Sequence, residues 1–83
     1  MRVTLKLYAS LQEYLPAGSK DFGVAVEVEP GITPHQLLDR YNVPRKLVHL
    51  VVRNGVYVLP AERERAVFGD GDVLAVWPPV AGG

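Results

Sequence analysis

Five consecutive apolar residues, 73–77, are the feature of this 83-residue chain that most constrains its fold. The segment Val73-Leu74-Ala75-Val76-Trp77 is predicted to be a strand, and it follows Gly69-Asp70-Gly71-Asp72, a turn built from residues that tolerate positive φ. A strand that is apolar on both faces is either central in its sheet or covered on its second face. If it is central, the residues that follow it leave from the middle of the sheet.

The other strands are indicated by alternation and by a turn signal. Residues 3–8 and 24–29 alternate polar and apolar side chains with a period of two, as half-buried strands do, and the acidic residues of the second segment are predicted to face water. Residues 47–53 are apolar and run into Asn54-Gly55, the strongest short hairpin signal, after which residues 56–59 return. Two antiparallel strands joined by a type I′ turn are predicted there.

Two helical segments are indicated by capping patterns. Ser10 and Glu13 have the spacing of a capping box, which predicts a short helical segment ending at residues 16–18. Residues 33–36, Thr-Pro-His-Gln, combine a Thr N-cap, proline at the first helical position and Gln three residues after the cap. This is the best-marked helix start in the chain, and residues 42–44 supply its stop.

The order of these elements predicts the fold class. It is β, short helix, β, helix, β, β, β, which corresponds to an α+β protein with a mixed sheet of four or five strands packed on one main helix. A chain of 83 residues is long enough for one such domain, which we place at residues 1–77. Residues 78–83 are predicted to form an extended tail outside it.

Composition excludes several classes of partner. Nine Lys and Arg residues balance nine Asp and Glu residues, so no basic field would recruit nucleic acid or an anionic membrane. The absence of cysteine excludes disulfides, a thiolate nucleophile and thiolate metal sites, and it suits a reducing cytoplasm. No apolar run approaches a membrane span, and residues 1–6 lack the apolar core of an export signal. We expect a cytoplasmic protein with neither nucleic acid nor a membrane as partner.

The tail carries the strongest functional signal. Pro78 and Pro79 remove two N–H donors, so the sheet cannot continue through them and residues 78–83 should project as an extended arm. The last residues are Val80, Ala81, Gly82 and Gly83, and a carboxylate that follows residues without Cβ can be threaded through a narrow channel. Activation as an acyl-adenylate would open Gly83 to a thiol, a sulfide or an amine. The alternative is that these small residues are an ordinary frayed chain end without a function.

No other residues form a convincing active site. His35 and His49 are far apart in sequence and have no acidic or sulfur cluster at ligand spacing, so neither a metal site nor a general base is predicted. Asp70 and Asp72 lack the rest of a calcium loop and are interpreted as turn residues. The alternating charges of residues 62–65 predict a solvated turn or helical face.

A partner surface is predicted beside the tail. If the main helix covers Leu74 and Val76, then Trp77 on the other face of the strand is partly exposed, and a large aromatic there favours a partner. The alternative is a core tryptophan whose indole N–H finds a carbonyl. The hairpin could extend the surface, and a cation at its strand end could steer an acidic partner or a nucleotide, or could simply be solvated. The predicted partner interface consists of Trp77, Ala75, Tyr57, Leu59 and Arg53.

These features together resemble one family. The chain length, the strand order, Asn54-Gly55, residues 69–72 and Trp77-Pro78-Pro79-Val80-Ala81-Gly82-Gly83 are similar to the MoaD/ThiS-like sulfur carriers, relatives of ubiquitin. The resemblance covers the whole chain, and the tail looks closer to the small subunit of molybdopterin synthase than to the thiamine-pathway carrier. Trp77 stands where the family more often has Phe, a similarly flat apolar group. The resemblance implies a ubiquitin-like β-grasp fold.

The resemblance also implies a function. In that family a ubiquitin-activating-type adenylating enzyme uses ATP to activate the terminal glycine, so Gly83 would carry sulfur as a thiocarboxylate while Gly82 keeps the approach free of side chains. The tail would then enter the large subunit of molybdopterin synthase and donate sulfur to a pterin precursor. The chain would be a carrier, not an enzyme, with no bound cofactor and no metal.

Several alternatives stay open within and beyond this family. The sulfur could go to a tungsten cofactor, to thiamine or to a thiolated nucleoside. Gly83 could instead be joined to a target lysine, as in a ubiquitin-like modifier, or the domain could be a plain interaction module with a tail of no function. An exposed Trp77 could also pair with itself, which would give a homo-oligomer in the absence of a partner.

Overall fold

Five strands, one α-helix and three short 3₁₀ helices make up the computed structural model, which describes residues 1–80. Within these residues, no helix has the length and apolar character needed to cross a membrane. The strands are β1 (Arg2–Leu7), β2 (Gly23–Glu27), β3 (Leu50–Arg53), β4 (Val56–Tyr57) and β5 (Val73–Trp77). The α-helix is α1 (Pro34–Arg40), and the first, second and third 3₁₀ helices are Ala9–Tyr14, Arg45–Leu47 and Pro60–Glu64.

The last strand lies at the centre of the sheet. The order across the sheet is β2-β1-β5-β3-β4. β5 is parallel to β1 and antiparallel to β3, and the β1–β2 and β3–β4 pairs are antiparallel. The predicted mixed sheet with a central last strand, and the α+β class, are therefore confirmed.

One face of the sheet is buried against α1. Leu5 in β1 pairs with Leu74 in β5, and both belong to the same core cluster as Leu37 and Leu38 of α1. All four side chains are fully buried. Burial of a leucine contributes about 1.5–3 kcal/mol, so this core holds β5 firmly against its neighbours. The strand from which the tail departs is thus anchored in the best-packed part of the domain.

The two strongest local signals are confirmed. The Gln36 N–H donates to Thr33 Oγ1 at 3.1 Å, and the Thr33 N–H donates to Gln36 Oε1 at 3.0 Å, which is the predicted capping box of α1. Asn54 and Gly55 have φ of +50° and +82° and connect β3 to β4, as a type I′ turn requires. Both features are set by neighbouring residues, which explains why they could be predicted locally.

The first helical segment differs from its prediction. It is a 3₁₀ helix that starts at Ala9, and its N-cap, Tyr8, makes no side-chain hydrogen bond. The predicted capping box between Ser10 and Glu13 is therefore wrong. Ala9 has φ of +51°, which turns the chain directly after β1, so Ser10 already lies within the helix. The end of β1 is determined by strand pairing, which the capping pattern does not contain.

Candidate functional site

Where the tail leaves the sheet, the main chain is hydrogen-bonded to segments on both sides. The Trp77 carbonyl accepts a hydrogen bond from the His49 N–H at 3.1 Å, and the preceding carbonyl, of Val76, accepts one from the Tyr8 N–H at 3.1 Å. The next residue is a proline, which has no N–H to continue the ladder. Val80 is already 78% exposed, so the described part of the tail departs from a fixed root. The remaining predicted threading and reactive residues, Ala81, Gly82 and Gly83, lie outside the described residues.

Three stacked rings lie beside this root, and we call them the aromatic row: Trp77, Tyr8 and Phe22. The Trp77 and Tyr8 rings are 4.4 Å apart between centroids and nearly parallel, at 4°. Tyr8 and Phe22 follow at 5.2 Å and 28°. Sequence reasoning missed that Tyr8 and Phe22 stack beside Trp77. The available signal was the alternation of β1, which continues to Tyr8 on the face opposite the buried leucines.

Phe22 reaches the aromatic row from a strained turn. Asp21 and Phe22 have φ of +53° and +63°, and the Gly23 N–H closes the turn on the Lys20 carbonyl at 3.0 Å. Left-handed φ is uncommon for a bulky side chain and costs roughly 1–2 kcal/mol per residue. Phe22 is nevertheless 49% exposed. The turn thus presents a large aromatic ring at a position where glycine would be less strained.

Strand register places three predicted interface residues on one face of the sheet. Val52 in β3 pairs with Ala75 in β5 and with Tyr57 in β4, and Trp77 is two residues beyond Ala75. Their side chains share the face opposite α1, which we call the open face. Tyr57 is 46% exposed, and Leu59, just after β4, is 54% exposed. Partner binding by these residues stays a prediction.

Arg53, the fifth predicted interface residue, pairs with Leu74 and so starts on the face opposite to the open face. Its Nη1 donates to Asp72 Oδ2 at 2.9 Å. Asp72 also accepts from the Gly69 N–H at 2.7 Å and from Asn54 Nδ2 at 2.8 Å. The Gly69 N–H above all, then Asn54 and Arg53, hold the pKa of Asp72 below its usual value. Asp72 therefore ties the hairpin turn to the loop before β5, and steering by Arg53 stays a prediction.

Replacement of Asp72 with alanine is expected to lower the free energy of unfolding by about 2–3 kcal/mol, because it removes the shared acceptor of three donors. The folded pKa lies below the unfolded value of 3.8, so this stabilisation is present above that pH and is lost as the pH falls through the folded pKa. Urea denaturation at neutral pH and at about pH 3 measures both effects.

The matched control for that experiment is Asp39→Ala. Asp39 forms an exposed ion pair with Arg45 at 2.9 Å, and such pairs contribute less than about 1 kcal/mol. Equal losses in the two variants would contradict the assigned role of Asp72. A difference between the wild type and Asp72→Ala that does not shrink in acid would contradict it as well.

Arg63 departs from the solvated face predicted for residues 62–65. It is only 5% exposed. Its Nε donates to the Val58 carbonyl at 3.1 Å, and its Nη2 donates to the His49 carbonyl at 3.1 Å and, at 3.4 Å, to the Tyr57 hydroxyl. The guanidinium carbon is 5.8 Å from the Tyr57 ring centroid. The prediction is wrong for this residue because alternating charge carries no signal for which side chain turns inward.

His35 forms a contact between α1 and the third 3₁₀ helix. Its Nδ1 is 3.7 Å from Glu64 Oε1 and has no hydrogen-bond partner. Burial lowers the pKa of His35, Arg45 lowers it further, and Glu64 opposes both. Among residues 1–80, no three His, Asp or Glu side chains are grouped so as to hold a metal ion. The surroundings of His35 fit a packing contact between helices.

The fold and the rooted tail define a class of protein. A five-stranded mixed sheet with a central last strand, packed on one main helix, is the ubiquitin-like β-grasp. The small archaeal modifier SAMP1 of Haloferax volcanii has this fold with a TM-score of 0.67 and 30% identity over the whole of both chains. The solution structure of a second Haloferax volcanii protein, HVO 2177, has a TM-score of 0.77 at 24% identity, covering all of this chain and 87% of that one.

A third similar structure is a Pyrococcus furiosus protein provisionally assigned as subunit 1 of molybdopterin converting factor. Its TM-score is 0.64 at 24% identity, covering 95% of this chain and 98% of that one, which shows a shared fold. The model of the ThiS family matches residues 5–83. The chain belongs to the ThiS family, as its resemblance to the MoaD/ThiS-like group implied. No curated protein sequence matches it. Its fold is that of sulfur carriers and small ubiquitin-like modifiers.

Proposed function

We propose that this chain is a sulfur carrier whose Gly83 carboxylate is adenylated and converted to a thiocarboxylate. We further propose that it donates this sulfur in molybdopterin biosynthesis, as the non-catalytic small subunit of molybdopterin synthase. The observation that carries the proposal is the ThiS family match, which extends through the Gly-Gly pair to residue 83. The rigid root at Trp77 supports it, because a carrier must present its end group from a defined position.

The chemistry needs only the main-chain carboxylate of this protein. A carboxylate oxygen of Gly83 attacks the α-phosphorus of ATP, and pyrophosphate leaves. A sulfide then attacks the acyl carbon and AMP leaves, so that one oxygen of the carboxylate is exchanged for sulfur. Both leaving groups are held by the partner, and the carrier contributes no catalytic side chain or bound cofactor. The absence of a Cβ at residues 82 and 83 lets the partner enclose the reacting carbon closely.

Two partners follow from this proposal. A ubiquitin-activating-type adenylating enzyme supplies the ATP site, and the large subunit of molybdopterin synthase accepts the loaded tail. Both would operate in the cytoplasm. The open face beside the tail is the surface offered to them, because Trp77, Ala75 and Tyr57 lie on it together. Leu59, two residues after Tyr57, also has an exposed side chain.

Sulfur loading can be measured directly by intact mass. The protein is incubated with its cognate adenylating enzyme, ATP and sulfide, and we expect its mass to rise by the difference between sulfur and oxygen. A reaction without ATP is the control and should leave the mass unchanged. Absence of the shift under conditions that load an established carrier would exclude the proposal. The same spectrum reports whether the chain in the reaction ends at Gly83.

The identity of the acceptor is tested with loaded protein. Molybdopterin synthase large subunit with its pterin precursor, and thiazole synthase with its own acceptor substrates, are each mixed with the thiocarboxylate form, and loss of the sulfur mass is followed. We expect transfer with the large subunit only. Transfer with thiazole synthase instead would assign the chain to thiamine synthesis while leaving the carrier function intact.

A ubiquitin-like modifier is the second candidate, and the similarity to SAMP1 at 30% identity favours it. In that case the adenylated Gly83 is attacked by a lysine amine of a target protein, AMP leaves and an isopeptide bond forms. Tagged protein expressed in the native cell would then accumulate in larger conjugates that vanish when Gly83 is deleted. A sulfur mass shift without conjugates would reject this candidate.

A further inference from the structure

We propose that Arg63 is a positioning residue that holds the exposed hairpin edge, Val56 to Leu59, in the geometry in which it contacts the adenylating partner. The proposal rests on the proposed function for the identity of that partner. Its structural basis is independent of that function, because it lies in the hydrogen bonds of a buried guanidinium.

Arg63 is a buried cation whose neighbours offer it neutral acceptors. It is 5% exposed and forms no salt bridge with a carboxylate of residues 1–80. Removal of a guanidinium from water is costly, and here hydrogen bonds to neutral acceptors offset that cost. What distinguishes arginine at this position is the specific geometry of those bonds.

The geometry joins three separate places in the chain. One fork of the guanidinium bonds the carbonyl of Val58 at the end of the hairpin, the carbonyl of His49 before β3 and the hydroxyl of Tyr57. A planar guanidinium offers these acceptors N–H donors on separate nitrogens, whereas the three donors of a lysine ammonium all lie on one nitrogen. Arg63 thus connects the third 3₁₀ helix to both strands of the hairpin.

The hairpin edge needs such support. β4 has two residues, and only two residue pairs join it to β3. One further hydrogen bond, from the Val58 N–H to the Val51 carbonyl at 2.8 Å, follows them. Val56, Tyr57 and Leu59 are nevertheless 66%, 46% and 54% exposed. An apolar edge on so short a ladder would sample several conformations, and its preorganisation removes an entropic cost from binding.

The same residue is connected to the root of the tail. Arg63 bonds the carbonyl of His49, and the N–H of His49 donates to the carbonyl of Trp77. His49 therefore links Arg63 to the tail root, in addition to the pairing of β3 with β5. A partner that contacts both meets them at a set separation.

The test uses Arg63→Met, Arg63→Lys and the control Arg65→Met. Arg65 is exposed and lies two residues further along the chain. We expect Arg63→Met to lower the urea midpoint, because the carbonyls of Val58 and His49 lose their donor. In the loading reaction we expect the KM of the adenylating enzyme for Arg63→Met to be about tenfold higher than for the wild type, with kcat unchanged. The substitution impairs docking but does not alter the reacting carboxylate. Arg63→Lys should lie between the wild type and Arg63→Met, and Arg65→Met should match the wild type.

A second measurement is independent of the partner. Amide hydrogen exchange of the isolated protein should be faster at Val58 in Arg63→Met and unchanged at Leu74 in the core. If the wild type is not loaded, the proposed function fails. The exchange result still tests whether Arg63 holds the hairpin edge in place. A wild-type KM or wild-type exchange at Val58 in Arg63→Met overturns the proposal. An equal rise of KM in Arg65→Met, or a loss of kcat in place of a rise in KM, also overturns it. If Arg63→Met does not fold, the same criteria apply to Arg63→Lys.

Discussion

Deletion of Gly83 is expected to abolish adenylation and sulfur loading. The deletion leaves a carboxylate on Gly82, but that carboxylate lies one residue short of the reacting position, roughly 3.3–3.6 Å along an extended chain. A displacement of about 1 Å can already cost about 100-fold in rate, so the product should fall below detection by intact mass. All five strands end by Trp77, and we expect the urea midpoint to be unchanged.

Two further variants keep the tail at its full length and serve as comparisons for the deletion. Gly83→Ala keeps the length and the carboxylate and adds one Cβ, and it should be loaded slowly. Glu13→Ala shortens an exposed side chain outside the tail, and it should be loaded at the wild-type rate. Wild-type loading of the deletion variant would show that the partner does not read the length of the tail, and the proposed site at Gly83 would be wrong.

The second large effect is expected for Trp77→Ala. The substitution removes the ring that stacks on Tyr8 at 4.4 Å and lies on the open face at the start of the tail. A central aromatic anchor of an interface contributes about 2 kcal/mol or more to binding, which corresponds to a rise of about 30-fold in the KM for the carrier. Steady-state loading kinetics measure this change. Loss of the stack should also reduce stability by about 0.5–1.5 kcal/mol.

Trp77→Phe and Phe22→Ala are the controls for that experiment. Phenylalanine keeps a flat ring against Tyr8, so Trp77→Phe should retain most of the affinity. Phe22→Ala removes an exposed ring of similar size at the other end of the aromatic row, away from the tail, and should leave KM near the wild-type value. If Phe22→Ala and Trp77→Ala raise KM equally, the effect belongs to general apolar surface and not to an anchor at Trp77.

The parts of the fold that follow from neighbouring residues could be predicted. The capping box of α1 and the Asn54-Gly55 turn depend on hydrogen bonds and φ angles within four residues, and both are present. The two apolar faces of β5 predicted either a central position or cover on its second face, and the sheet order shows the central position. The partial exposure of Trp77 opposite Leu74 followed from the period of a strand.

The parts that depend on distant contacts could not be predicted. The inward turn of Arg63 depends on carbonyls at residues 49 and 58, which come near it only after the sheet has formed. The aromatic row depends on left-handed conformations at Asp21 and Phe22, and for the bulky Phe22 this conformation is rare. The hydrogen bond from Arg53 to Asp72 also joins residues that are distant in sequence, and the prediction that Arg53 contacts a partner stays untested.

The central position of β5 has a consequence for how the protein acquires its binding surface. β1 and β2 form one hairpin unit, β3 and β4 form another, and only β5 joins the two. An isolated two-stranded unit is marginally stable in water, and pairing between segments distant in sequence is the slow part of folding. The open face, which includes residues of β4 and β5, therefore exists only in chains that have completed folding. A partner that docks on this face selects mature molecules before it acts on the tail.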